Sequence, residues 1–165
     1  MSTKTDKATQ SQERRAGTQQ LVERLTSDRA AMLALFCQVA GVEPFKRDKS
    51  EKSSRALLDE FCQVLVDYIA AGHFSLYERI VNGKERRRDT AKLAEELYPR
   101  INQTTDAAIA FNDKYDSEKH PEISDELESD LSRLGEELAK RIELEDQLLN
   151  AMMVSGAVTS DASMR

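Results

Sequence analysis

The sequence predicts an all-α protein: an antiparallel four-helix bundle, with an extra short helix after Gly72 and a third long helix kinked by a proline. Three observations carry that expectation. Apolar residues recur at spacings of three and four along several stretches, which places them on one helical face. The β-branched and aromatic runs expected of strands are missing, and the six Gly and three Pro fall mostly between the periodic stretches. With 39% hydrophobic and 33% charged residues, the composition suits helices with one buried stripe and a broad solvated face. A chain of 165 residues can enclose one sizeable core and is short for two domains. Short connections between the stripes favour antiparallel neighbours.

Residues 1–19 are rich in Ser, Thr, Gln and Lys with almost nothing to bury, so they are expected to form a disordered polar tail. A single helical-bundle domain over 20–153 and a second polar tail over 154–165 complete the expected organisation. The first helix carries Leu21, Leu25, Met32, Phe36 and Val39, widened by Val22, Leu33 and Leu35, and ends at Gly41 with Pro44 shortly after. A charged loop over 46–54 leads to Ser53 or Ser54 as an N-cap. The second helix presents Leu57, Leu58, Phe61, Cys62, Leu65, Tyr68 and Ile69 on one wide face. Gly72 is expected to stop or bend it, and a short helix over 74–81 continues the path. Asn82-Gly83 is a turn signal, followed by a basic stretch over 84–88. Asp89 or Thr90 then caps the third long helix, whose stripe is Leu93, Leu97, Ile101, Ala108 and Phe111. Pro99 within it predicts the kink, because the ring removes one backbone bond and crowds the preceding turn. Pro121 suits the first turn of the last helix. That helix carries Leu127, Leu131, Leu134, Leu138, Ile142, Leu149 and Met152, with a gap before Leu149.

The net charge of −6 argues against a general nucleic-acid binder, which exposes a basic stripe to phosphates. It suits a surface that meets a basic protein partner. Between 116 and 130, Asp116, Glu118, Glu122, Asp125, Glu126, Glu128 and Asp130 stand against Lys119, which reads as a solvated helix start favoured by the macrodipole. Cys37 and Cys62 form no CxxC motif and read as small core residues in a reduced compartment. The first twenty residues are too polar for a secretory signal, and no apolar stretch is long enough for a bilayer, so a soluble cytoplasmic protein without membrane contact is expected.

Enzyme chemistry finds little footing. His73 and His120 lack ligand-like spacing, and neither has a Glu three residues before it, as a di-iron bundle requires. No P-loop, dinucleotide glycine pattern or nucleophile elbow occurs. The expectation is therefore a non-enzyme with no catalytic, metal or cofactor residues. One alternative is a histidine phosphotransfer bundle with His73 as acceptor. Another is a purely structural subunit, since a bundle stripe and a dimer seam look alike and self-association stays open.

The run over 65–80 is the most informative. Gly72 lets the backbone leave the helix, His73 and Ser75 offer polar groups, Phe74 and Tyr77 offer apolar area, and Glu78 and Arg79 can pair with neighbours. Two readings are open: a packed interhelix corner that binds nothing, or a binding face. Asp67 lies on the polar face opposite Leu58, Leu65 and Ile69. It is either a solvated carboxylate or the acceptor of a two-pronged Arg contact from a basic partner.

From Phe61-Cys62-Gln63 through Leu65-Val66-Asp67-Tyr68 to Ala71-Gly72-His73-Phe74-Ser75 and Tyr77-Glu78-Arg79-Ile80, the chain closely resembles the Rsd/AlgQ family of bacterial anti-sigma factors. Leu21-Val22 with Arg24, Val42 with Pro44 after Gly41, Tyr98-Pro99, Leu134-Gly135-Glu136 and Leu144-Glu145-Asp146 match in the same order. The resemblance covers roughly 21–152. It implies a helical bundle that binds the primary sigma factor of bacterial RNA polymerase at region four, the C-terminal domain that reads the upstream promoter element and docks on core enzyme. Binding there hides both surfaces, a stoichiometric occlusion. By position, the resemblance makes Asp67 the first sigma contact and Leu21 an apolar partner. Arg24, His73, Ser75 and Glu78 match family positions as further contacts or as residues that hold the contact surface in shape. Relatives often carry Asp-Arg-Trp where this chain has Glu23-Arg24-Leu25, and no Trp occurs anywhere. Either an interface anchor is lost or Leu25 replaces a core aromatic.

Overall fold

The structure, a computed structural model, describes residues 3–41, 54–82 and 88–162. All regular elements among them are helical: α1 (Thr3–Ala40), α2 (Ser54–Ala71), a π-helical turn (Gly72–Tyr77), α3 (Glu78–Asn82), α4 (Arg88–Lys114) and α5 (Leu127–Ala162). The all-α expectation holds, and no strand occurs among the described residues. α1 packs on α2 and α5, and α4 packs on the same two helices, so the four long helices close a ring around one apolar core.

Phe61 sits at the junction of three of them. It is fully buried, and its ring centroid lies 5.9 Å from that of Phe36 on α1 and 5.9 Å, edge-on, from that of Phe111 on α4. Leu58 and Leu65 flank it on α2, and Leu131, Leu134 and Leu138 bring α5 into the same cluster. The apolar stripes read from the sequence are thus the surfaces that meet.

α1 begins well before residue 20. The polar stretch expected as a disordered tail forms its first turns, starting at Thr3. Lys, Gln, Glu, Arg and Ala are good helix formers, and no Pro interrupts them. The segment also gains packing near its end. Thr18 is buried, and the Arg79 guanidinium of α3 lies where a Cβ on Gly17 would stand, 2.6 Å away. At the other end of the chain, α5 continues to Ala162, past the expected start of a tail at 154. The predicted end of the first helix is where the sequence places it. Gly41 adopts φ 72°, a left-handed conformation favourable to glycine, and its N–H donates to the Gln38 carbonyl at 3.2 Å. Residues 42–53, with the expected loop and Ser53 cap, and residues 83–87, with the Gly of the Asn82-Gly83 turn and most of the basic stretch, lie outside the described residues.

The last helix also begins elsewhere. Pro121 is not in its first turn; α5 starts at Leu127. Side-chain turns take over the backbone N–H groups first: Asp116 Oδ1 accepts from Glu118 N–H at 3.0 Å, and Ser124 Oγ accepts from Glu126 N–H at 3.2 Å. Arg55 of α2 clasps this connection by donating to the Tyr115 and His120 carbonyls at 3.3 and 3.1 Å. The acidic run is therefore only partly a solvated start. Asp130 accepts from the Tyr115 hydroxyl at 2.6 Å and pairs with Lys114 at 2.7 Å and Arg133 at 2.9 Å. Pro99 sits exposed inside α4, which runs on to Lys114.

Replacing Phe61 by Ala should destabilise the protein by about 3–5 kcal/mol, as core Phe truncations do. Urea unfolding followed by circular dichroism reads this directly. A loss below about 1 kcal/mol would show that the ring does not tie the helices together.

Candidate functional site

The centre of the ring is polar. Arg141 and Glu145, one turn apart on α5, are each only 1% exposed. They continue the stripe that runs from Leu134 and Leu138 to Leu148, Leu149 and Met152, so helical phase alone drives them inward. Arg141 NH1 donates to the Thr104 and Thr105 hydroxyls at 3.2 and 2.8 Å, and its NH2 donates to the Ile69 carbonyl at 3.4 Å. Its Nε faces Glu145 Oε2 at 3.8 Å. The Tyr68 hydroxyl donates to Glu145 Oε1. Arg29 Nε donates to the Tyr68 oxygen at 3.3 Å, while its NH2 lies 3.6 Å from Glu145 Oε1 and its NH1 donates to Asp146 at 2.8 Å. Each long helix supplies at least one member.

Gly72 belongs to this network by what it lacks. The sequence suggests a stop or bend there, yet the chain passes straight into the π-helical turn, and among the described residues it is Gly41 that has positive φ. A Cβ on Gly72 would stand 3.0 Å from Glu145 Oε2 and 3.4 Å from Arg141 NH2. Room for the buried ions, not backbone freedom, is what the position requires.

Electrostatics follow from burial. Loss of water pushes the Glu145 carboxyl above the ordinary carboxylate range, against the opposing pull of Arg141, the Tyr68 bond and Arg29. Burial, reinforced by the neighbouring Glu145, holds the Tyr68 phenol far above its usual range, so it remains a donor.

The outer side of the same segment is aromatic and acidic. In the π-helical turn the Glu78 N–H bonds to the His73 carbonyl five residues back, a widened turn of a kind frequent at functional sites. His73 is exposed and stacks on Tyr77 at 5.8 Å and 18°, and Tyr77 stacks on Tyr98 of α4 at 4.4 Å and 27°. Phe74, 61% exposed, meets the His73 ring edge-on at 5.2 Å. Between this wall and α4 runs a groove of about 300 Å³.

Of the residues singled out by position, Asp67, Arg24, His73 and Glu78 are exposed and Ser75 is half-buried. Asp67, His73, Ser75 and Glu78 share the continuous path from α2 to α3, and Asp67 accepts from Gln63 Nε2 at 3.1 Å. Leu21, expected as an apolar partner contact, is buried in the core cluster, because the stripe it shares with Leu25 and Met32 faces the ring interior. Leu25 likewise fills the core, with its Cδ1 3.9 Å from where a Cβ on Gly72 would stand. Of the two roles open for the position where relatives carry Trp, packing is the one observed. Cys62 is buried, with its thiol pushed up to about 11 chiefly by burial, and Cys37 is half-buried; both are free. Among the described residues no group of three or more His, Cys, Asp or Glu is placed to hold a metal ion, and no helix is long and apolar enough to cross a membrane.

Of the network residues, Arg29 and Arg141 are not singled out from the sequence and Glu145 enters only within the Leu144-Glu145-Asp146 match, although a signal for all three exists. Arg29 fills the gap between Leu25 and Met32, and Arg141 and Glu145 fill the gap between Leu138 and Leu149. A charged residue at the phase of a buried stripe, with its opposite four residues on, marks an internal ion pair.

Fold and site together define an all-α protein with one core, pinned by a buried ion network beneath an acidic and aromatic outer face. The chain belongs to the family described as regulator of RNA polymerase sigma(70) subunit, Rsd/AlgQ, which matches residues 4–153. It is 33% identical over 139 residues to a protein of Yersinia enterocolitica serotype O:8 / biotype 1B named Regulator of sigma D, covering 83% of each chain. A Regulator of sigma D of Escherichia coli O6:H1 is 34% identical over 154 residues, covering 91% of this chain and 94% of that one. Another, of Escherichia coli O1:K1, is 36% identical over 141 residues, covering 83% and 86%. No solved structure is significantly similar to the chain.

Tyr68→Phe leaves a buried carboxylate oxygen without its donor and should cost about 1–3 kcal/mol. The Tyr68 contribution is fully present below the unfolded phenol value of about 10 and is lost as pH rises through the higher folded value. Urea midpoints of the wild type should therefore fall above about pH 10, and less steeply in Tyr68→Phe. Tyr115, pushed up to about 12 by burial and its bond to Asp130, sustains a residual slope in that variant. An identical slope in both proteins would remove Tyr68 from the account. Gly72→Ala should cost about 1–3 kcal/mol through overpacking against Glu145, and an unchanged denaturation midpoint would contradict the close approach.

Proposed function

We propose that this chain regulates transcription by binding the primary sigma factor of a bacterial RNA polymerase at its C-terminal region four. The mechanism is occlusion. Covering the surfaces of sigma that dock on core enzyme and read the promoter withdraws it stoichiometrically, with no bond made or broken and no cofactor. Such a protein works in the cytoplasm. Membership of the Rsd/AlgQ family carries this reading, together with relatives named Regulator of sigma D.

Charge and geometry support it. A net charge of −6 suits a basic DNA-reading partner. Asp67 stands exposed on α2 with a neutral amide as its bonded neighbour, so an incoming guanidinium can displace Gln63 and take both carboxylate oxygens. His73, Ser75 and Glu78 continue the contact face along the same path, and Arg24 adds a polar contact from α1. Leu21 and Leu25 support that face from beneath. The reading includes antiparallel neighbours among the long helices and a bend of α4 at Pro99. Paired contacts support the antiparallel arrangement: Phe36 meets Phe61 while Arg29 meets Tyr68, and Thr104 meets Arg141 while Lys114 meets Asp130.

Calorimetric titration of the full chain into the isolated region-four domain of its host's primary sigma factor tests this. A one-to-one complex that weakens with salt is expected. Asp67→Ala should weaken it by about 2–5 kcal/mol if the carboxylate is buried in the contact, and by much less at a rim. No heat at micromolar concentration would contradict the sigma reading. Unchanged affinity in Asp67→Ala would remove that contact.

A further inference from the structure

We infer that the groove between α2, the π-helical turn and α4 is the docking site for a basic amphipathic helix of the sigma partner, an inference that rests on the function proposed above. The groove, about 300 Å³, is walled by Val66, Ala70 and Phe74 on one side and by Ile101, Ala108 and Ile109 on the other. Among the described residues the exposed large apolar side chains are Val66, Phe74, Ile109 and Met153, and all but Met153 line this one groove. Exposed apolar side chains scattered singly need no explanation, but a gathered patch marks a contact surface.

Its shape suits a helix. Val66, Ala70 and then His73 and Phe74 form a ridge at helical spacing, which the π-helical turn extends past the end of α2. Asn102, Thr105 and Ile109 form the facing ridge on α4. Two helical ridges with a trough between them accept the ridge of a third helix, anchored by apolar residues at i, i+3 or i+4, and i+7.

The charge selects the helix. No Lys or Arg lines the groove. Asp67 stands next to Val66 on the outer side of α2, and the exposed Asp106 lies four residues after Asn102 and three before Ile109, on the α4 rim. An apolar floor between carboxylate rims complements a helix whose apolar stripe is flanked by Lys and Arg. A second copy of this chain would bring a net charge of −6 and the same acidic rims against them, so self-association through this face is disfavoured.

The test titrates the sigma region-four domain into four full-length proteins: wild type, Ile109→Glu, Asp106→Lys and Met153→Glu. All three substituted side chains are exposed, and equal helical circular dichroism checks that the fold is kept. Ile109→Glu should raise Kd at least about tenfold, as expected for an apolar anchor replaced by a charge. Asp106→Lys should raise it severalfold with a weaker salt dependence, while Met153→Glu, outside the groove, should leave it within about twofold. If the wild type binds and Ile109→Glu binds equally well, the groove is not the docking site and the sigma reading stands. Equal weakening by Met153→Glu overturns the groove assignment as well. Absence of binding by the wild type sinks the sigma reading, and the inference falls with it.

Discussion

The buried network of Arg29, Tyr68, Arg141 and Glu145 is the constraint on which the rest of the structure depends. Taking ions out of water costs several kcal/mol each, and mutual attraction offsets this only when the geometry is good and the remaining polar groups are bonded. Here the partners come from every long helix: Arg29 from α1, Tyr68 and the Ile69 carbonyl from α2, Thr104 and Thr105 from α4, and Arg141 and Glu145 from α5, while Arg29 NH2, Arg141 Nε and Glu145 Oε2 are held by charge alone, without a hydrogen bond. Apolar stripes tolerate a slip of one helix along another at modest cost, since Leu meets Leu again one turn on. The network does not, because a slip of one turn strands a charge with no partner. It therefore fixes register, and it explains why the turn that follows α2 begins with Gly72, a residue without a side chain, where α5 brings its ions closest.

That register also sets the outer face. The segment whose inner side meets the ions at Ile69 and Gly72 bears Val66, Asp67, Ala70, His73 and Phe74 on its other sides. With the inner side held, the widened turn after α2 presents His73 and Phe74 at a defined height against Tyr98 and Ile101 of α4. Such a preorganised surface would favour the proposed binding, since ordering a loose one on contact would subtract from affinity. The mixture of Gly, His, Ser, Glu and aromatics in one helical run thus has two sides: small and apolar towards the ions and core, aromatic and polar on the exposed face.

Much of the fold was legible in the sequence because it rests on local periodicity. The stripes through Phe61, Leu65 and Leu134 are the ones buried, and Gly41 closes α1 as its position suggests. The start of α1 was not legible, since a solvated helix has no stripe to announce it and the packing of Gly17 on Arg79 joins residues far apart in sequence. Pro121 misled for a related reason: a proline allowed in a first turn does not create one, and the bond from Glu126 to Ser124 delays the helix to Leu127. At the site, Asp67 rests on the resemblance alone, and the structure adds its exposure on α2. Leu21 shows the limit of sequence here, because an apolar residue looks the same whether it meets a core or a partner. The groove was not legible at all, because its walls come from separate helices that only the fold brings together.

The proposed withdrawal of sigma from polymerase is tested most directly by competition. Core RNA polymerase carrying the labelled primary sigma factor would be mixed with increasing amounts of the full chain, and core-bound sigma measured after separation. Occlusion predicts that sigma leaves core as an equimolar complex with this protein forms, and that added salt reverses the exchange. If sigma stays on core while this protein binds to the assembled holoenzyme, occlusion is wrong. The acidic, aromatic face would then act on sigma in place.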